Sequence, residues 1–301
     1  MDHASIIRII KEIGRGKNAA GDMNRDDARA LFTAILNDEI PPLQLGAILI
    51  ALRVKGESLE ELAGFLDACE ASYPHLKAPA DSVPLVIPAY NGARQLPNLT
   101  PLLASLVARE GVPVLVHGVP DDPGRVTTLE VFAAMGINPA RDLAEVEAQL
   151  AQRKLAVVTV ATLAPQLARV LKLRREIGLR SSGHTLVKML QPFSTKAVRL
   201  VSVTHPEYLE RMRAFFTQYA SHALLLRGAE GEAVAHPRRE PVIEWLDGKT
   251  AEVWRGAAEE NPQLPENRDA QVTADWIKAA LAGKQPIPSA ILHQLSCSVR
   301  F

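Results

Sequence analysis

The chain has 301 residues, 47% of them hydrophobic and 23% charged, with a formal net charge of zero. This is an ordinary composition for a globular protein; it supplies a large core and about two domains, and it excludes a disordered or low-complexity chain. Two distant cysteines, Cys69 and Cys297, form no Cys-x-x-Cys pair, which argues against a zinc site or a disulfide scaffold and fits a reducing compartment.

The N-terminus, MDHASIIRIIKEIGRGK, has no signal-peptide core, and the apolar stretch around Leu45–Leu52 is too short to span a bilayer. The expectation is a cytoplasmic protein without a membrane partner. Residues 1–74 read as a helical domain. Asn24 and Asp27 open one helix, Pro41-Pro42 another that stops at Gly56, and Ser58 and Glu61 a third that ends before Pro74. The surplus of apolar faces suits a homodimer. Leu45, Ile48 and Leu52 share one helical face and are candidates for its interface, or equally for the domain's own core.

From residue 83 the hydrophobic period changes. Val83–Ile87, Pro113–Val116, Leu155–Val160, Val198–Val203 and Ala223–Leu226 read as buried strands. Helices over 99–110, 127–136, 142–153, 163–177 and 206–219 alternate with them. Residues 75–301 are therefore expected to form an α/β domain with a mainly parallel sheet covered by helices. Beyond it lie strand-like pieces at Val242–Trp245 and Ala251–Trp254 and a helix near Asp269–Ala282.

Charge is unevenly spread. Residues 151–240 hold fifteen Lys and Arg against six Asp and Glu, an excess of +9 that the rest of the chain cancels. Such a segment is either a polyanion site or a solvated, salt-bridged face. On a helix over 166–177, Arg169, Lys172 and Arg175 project to the exterior, whereas Arg174 falls among Leu167, Val170, Leu171 and Ile177. His184, Lys188 and Gln191 follow at i, i+4, i+7 and would share one polar helix face.

The stretch VPLVIPAYNGARQLPNLTPL (83–102) has the layout of a phosphate site, a strand, a tight loop and a helix start, but only one glycine, Gly92. This order, with His117-Gly118 after the next strand, resembles the anthranilate phosphoribosyltransferase family over nearly the whole chain. The resemblance implies that family's fold, and a site for phosphoribosyl pyrophosphate and Mg²⁺. The family's Gly-Thr-Gly-Gly-Asp loop corresponds here to Pro88, Ala89, Tyr90, Asn91 and Gly92, followed by Arg94; its helix start survives as Asn98-Leu99-Thr100. Its Lys-His-Gly-Asn becomes Val116-His117-Gly118-Val119, and its serine-rich loop becomes PDDPGRVTT, where Asp121 and Asp122 would repel phosphate. Its Mg²⁺-binding Asp-Glu pair lines up with Gly231-Glu232, with Glu230 near. Arg174 matches the arginine that meets anthranilate's carboxylate, and His184 stands where the family has asparagine.

These departures resemble the YbiB-type branch, which the resemblance associates with homodimers and sequence-independent DNA binding. The expected function is nucleic-acid binding, to DNA or RNA backbone, by a protein with no catalytic constellation and no cofactor. The candidate contacts are Arg169, Lys172, Arg175, Arg180, Lys188, Lys196, Arg199, Arg211 and Arg213, with Arg238 and Arg239 added. The vestigial substrate site is Tyr90, Asn91, Gly92, Arg94, Asn98, Thr100, His117, Gly118, Arg174 and His184. The alternative is a glycosyl- or phosphoribosyltransferase on an unknown acceptor, with Mg²⁺ held by Glu230 and Glu232. A third reading is a sensor of a phosphorylated metabolite.

Overall fold

A computed structural model describes residues 1–16, 18–219, 221–248 and 251–301. In chain order the elements are α1 (His3–Ile13), α2 (Arg25–Leu36), α3 (Pro42–Lys55), α4 (Leu59–Glu70), β1 (Leu85–Ala89), α5 (Thr100–Arg109), β2 (Val114–Gly118), α6 (Thr128–Ala134), α7 (Leu143–Arg153) and β3 (Leu155–Thr159). Then come α8 (Val160–Leu163), α9 (Pro165–Lys172), α10 (Arg174–Ile177), α11 (Gly183–Leu186), β4 (Val198–Ser202), α12 (Pro206–Gln218), β5 (Ala223–Leu226), β6 (Val242–Leu246), β7 (Ala251–Arg255), α13 (Ala270–Leu281) and α14 (Ser289–Ser298).

The chain forms two compact units, Met1–Pro74 with Leu163–Pro192, and His75–Thr162 with Phe193–Phe301. The division expected at residue 74 therefore needs one correction: 163–192 belong with the helical unit. The reason is packing. Leu167, Ala168, Val170 and Leu171 of α9 and Leu186 of α11 are buried, with α9 against α2 and α11 against α4. The expected single helix over 163–177 is also broken, at Leu173 between α9 and α10.

In the helical unit, local signals act as the sequence implies. Asn24 caps α2 through the Asp27 N–H, and Ser58 and Glu61 form a complete capping box on α4. Phe32 and Phe65 pack with ring centroids 5.0 Å apart, and a Cβ at Gly64 would run into the Arg25 carbonyl, so glycine lets α4 approach α2. Ile48 and Leu52 are fully buried and Leu45 is half-buried, which places these three with the unit's own core rather than on a free face. The apolar side left in solvent is Leu43 (88% exposed), Ala47, Ile50 and Val54.

The second unit holds a seven-stranded sheet in the order β3-β2-β1-β4-β5-β6-β7. β1 to β5 run parallel, and β6 and β7 add an antiparallel edge. Every residue of β1, β2, β4 and β5 is buried, as expected of strands covered on both faces. Strand order reverses between β1 and β4, so the loops leaving their C-terminal ends diverge and open a crevice there. No helix is long and apolar enough to cross a membrane among the described residues.

Candidate functional site

The loop after β1 turns its backbone N–H groups inward, the arrangement that makes a cradle for an anion. Its occupant is the protein's own Glu232, 2% exposed. Glu232 Oε1 accepts from the N–H groups of Asn91 (2.6 Å) and Gly92 (2.7 Å), and Oε2 from the Thr128 hydroxyl (2.7 Å). Glu230 fills the next turn: its carboxylate accepts from the N–H groups of Arg94 (2.9 Å), Gln95 (3.2 Å) and Leu96 (3.2 Å).

The backbone of this insert is shaped to fit. Glu230 adopts φ 52° and Gly231 φ 88°, and a Cβ at Gly231 would overlap the Asn91 side chain. The Asn91 amide donates to the Glu230 carbonyl at 3.1 Å. A second segment closes the loop from another side. Ala93 and Val126 exchange backbone hydrogen bonds of 2.8 and 2.9 Å, Arg125 donates to the Asn91 carbonyl, and Arg268 donates to the carbonyls of Arg94 (2.6 Å) and Gly124 (3.0 Å). Gly92 is needed here: it sits at φ 65°, where a Cβ would press on Arg125.

Further in, other residues of the expected substrate site form two buried polar groups. Asn98 donates to Thr128 Oγ1 (3.0 Å) and accepts from the Thr100 N–H (3.2 Å). Tyr90 Oη and His117 Nδ1 lie 2.7 Å apart. Burial pushes the Tyr90 phenol well up and the His117 imidazole down to about 3, so both are neutral at pH 7. His117 Nε2 and Thr100 Oγ1 have no partner among the described residues. Gly118 lets β2 pass close to the Ala89 carbonyl.

Under the transferase alternative alone, Glu230 and Glu232 were the carboxylates expected to hold Mg²⁺. Their oxygens already accept from N–H and O–H donors, which take up lone pairs a cation would use, and no cluster of three potential metal-ligating side chains occurs among the described residues.

The basic candidates divide between the units. Arg169, Lys172, Arg175, Arg180 and Lys188 belong to the helical unit; Lys196, Arg199, Arg211 and Arg213 belong to the sheet unit. Arg169, Lys172 and Arg175 are exposed, and Arg174, Arg180, His184 and Lys188 are half-buried. Arg169 is also tied down, donating to the Leu36 carbonyl. The expected helical face of His184, Lys188 and Gln191 is not continuous, because α11 ends at Leu186. Burial, then the charges of Arg180 and Arg174, hold His184 down at about 4.

Two candidates need correction. Arg199 lies on β4, 5% exposed, with its guanidinium 5.1 Å from the centre of the Phe216 ring, so it is a core residue. Arg213 is committed to a two-pronged ion pair with Glu244 (2.5 and 2.7 Å). Arg211 lies over the Tyr208 ring at 5.4 Å, and Lys196 is exposed. Sequence reasoning missed Thr128, although it follows directly on the capping residue Thr127, and it missed Arg125 and Arg268 as the residues that close the loop.

Residues 7–72 match the model of the glycosyl transferase family, helical bundle domain. YbiB of Escherichia coli (strain K12) is 44% identical over 294 residues, covering 96% of this chain and 92% of that one. An anthranilate phosphoribosyltransferase 2 of Ralstonia nicotianae is 30% identical over 218 residues, 72% of this chain and 63% of that one. In fold, the chain is similar to anthranilate phosphoribosyltransferase (TrpD) from Thermus thermophilus, with TM-score 0.78 over 98% of this chain and 87% of that one at 19% identity. Helical bundle and overall fold thus agree with the relatives, and the chain belongs to the anthranilate phosphoribosyltransferase-like family of transferase folds.

Proposed function

We propose that this protein is a homodimeric, sequence-independent binder of nucleic-acid backbone, DNA foremost, and that it does not transfer a phosphoribosyl group to anthranilate. The observation that carries the reading is the occupation of the loop after β1 by Glu230 and Glu232. A pyrophosphate would need the same N–H groups and would meet two carboxylates, Glu232 buried and Glu230 half-buried, whose like charge repels it. The alternative with Mg²⁺ on these carboxylates has that same geometry against it.

Affinity for anions then falls to side-chain cations outside the loop. Lys172 and Arg175 of the helical unit and Lys196 of the sheet unit are exposed. Contacts from such groups to phosphate fix position without reading bases. The resemblance to the YbiB-type branch favours DNA. The apolar row Leu43, Ala47, Ile50 and Val54 suits an isologous dimer contact, which would present each basic segment twice.

The test is threefold. With phosphoribosyl pyrophosphate, Mg²⁺ and anthranilate, the protein releases no pyrophosphate above background; turnover that depends on Glu232 overturns this half. Labelled oligonucleotides bind with little regard to sequence. If about six phosphates are neutralised, log K falls with log salt at a slope near −4 for single strands or −5 for duplex. No binding at low salt ends the nucleic-acid half. Light scattering reports a dimer, and Leu43→Glu with Ile50→Glu reports a monomer.

A further inference from the structure

A cavity of about 380 Å³ opens at the C-terminal ends of β4 and β5, within the range of small-ligand sites. Its walls carry Arg227, Arg238, Arg239, His236, Gln95 and Glu230. The three arginines are exposed, and no ion pair engages their guanidinium groups among the described residues. The one carboxylate in the wall, Glu230, is already held by three backbone N–H groups.

His236 is oriented. Its Nδ1 accepts from the Arg238 N–H at 3.2 Å, so the neutral ring carries its proton on Nε2 as a donor. Burial first, then the charges of Arg239 and Arg238, hold its proton affinity below the usual histidine value, as expected where the local potential is positive. The free groups of this pocket are therefore mainly donors and cations. Arginine forks match the paired oxygens of phosphate, and the volume leaves room for more than the phosphate itself.

We propose that this pocket binds a phosphate monoester dianion. The pocket shares no residue with the α9–α10 basic stripe, although Arg238 and Arg239 also stand among the expected nucleic-acid contacts. Two sources present this chemistry, a free sugar phosphate and the 5′-terminal phosphate of a strand, and the probes separate them.

Calorimetric titration of the full-length protein uses inorganic phosphate, ribose 5-phosphate, ribose, and one oligonucleotide with either a 5′-phosphate or a 5′-hydroxyl. Ribose 5-phosphate is expected to bind and ribose not. If strand ends are the source, the 5′-phosphate tightens oligonucleotide binding; if not, the two oligonucleotides bind alike while ribose 5-phosphate still binds. Arg238→Gln with Arg239→Gln, and separately Arg227→Gln, weaken ribose 5-phosphate by more than about tenfold, the effect of losing a charge-assisted pair. Lys172→Glu with Arg175→Glu leaves that affinity unchanged, so failure here is distinct from failure of the nucleic-acid reading. Circular dichroism checks the fold of each variant. No heat from ribose 5-phosphate at millimolar concentration, or equal affinity in the folded Arg238/Arg239 variant, overturns the proposal.

Discussion

The loop after β1 and the stripe on α9 and α10 both carry groups that attract anions, but of different kinds. The loop offers backbone N–H groups fixed in direction, and the chain satisfies them with its own Glu232 in the buried part and Glu230 in the more exposed turn. The stripe offers charged groups on long stems, and Lys172 and Arg175 stand exposed. A rigid cradle has one shape and one charge requirement, so a single buried carboxylate can fill it. Exposed cations adapt to any phosphate spacing and are not silenced in this way. On the proposed reading, the cradle is closed to outside anions and any phosphate is met elsewhere.

The largest expected effect tests the cradle. Glu232→Ala strips the N–H groups of Asn91 and Gly92 and the Thr128 hydroxyl of their acceptor in a buried site. The expected loss is about 3 kcal/mol of stability, read as a shift in urea midpoint. Sulfate or phosphate should recover part of it by entering the vacated cradle, a gain beyond what the same anions give wild type. A variant as stable as wild type would mean that Glu232 is not what fills the loop.

A smaller effect separates the dry side of the loop from the solvated stripe. His117 is 1% exposed and its folded value is pulled down to about 3 by burial, whereas the unfolded value is the usual 6.5. The unfolded chain binds the extra proton between these values. The stabilising contribution is therefore complete above pH 6.5 and drains away as pH falls toward 3. By pH 5 the loss is about 2 kcal/mol relative to pH 7. His184, also held low, acts in the same direction. His117→Gln should flatten the stability profile below pH 6.5 while leaving the His184 part. An unchanged slope would show that His117 is not buried as a neutral ring.

Much of the frame was legible in the sequence. The apolar runs gave the five parallel strands, and Ser58 with Glu61 gave the start of α4. Helix α14 was not foreseen. The sequence left Leu45, Ile48 and Leu52 open between an interface and the unit's own core, because they are no more apolar than Leu43, Ala47, Ile50 and Val54 on the other side of α3. Periodicity selects a side only when the other side is polar. The signal for Arg199 was present, since it lies inside a run already read as a buried strand. The filled cradle had no local signal: Asn91 and Glu232 are 141 residues apart, and only the fold brings them together. The pairing of Arg213 with Glu244, 31 residues on, is hidden for the same reason.

The last prediction bears on the stripe. Arg169 is a poor reporter, because its guanidinium holds the Leu36 carbonyl and its loss would disturb α2 as well as any ligand. Lys172 and Arg175, both exposed, are the pair to reverse. If each meets one phosphate, Lys172→Glu with Arg175→Glu removes two counterion-releasing contacts and reduces the salt slope by about 1.5. Affinity at moderate salt should fall by roughly tenfold, or about 1.4 kcal/mol. Arg199→Gln serves as the contrast: a core arginine against Phe216, its replacement should lower stability without changing the salt slope of the protein that remains folded. A salt titration of all three proteins, with circular dichroism alongside, decides between them. If the double variant keeps wild-type affinity and slope, phosphate is met elsewhere, and the exposed Lys196 of the sheet unit becomes the next residue to reverse.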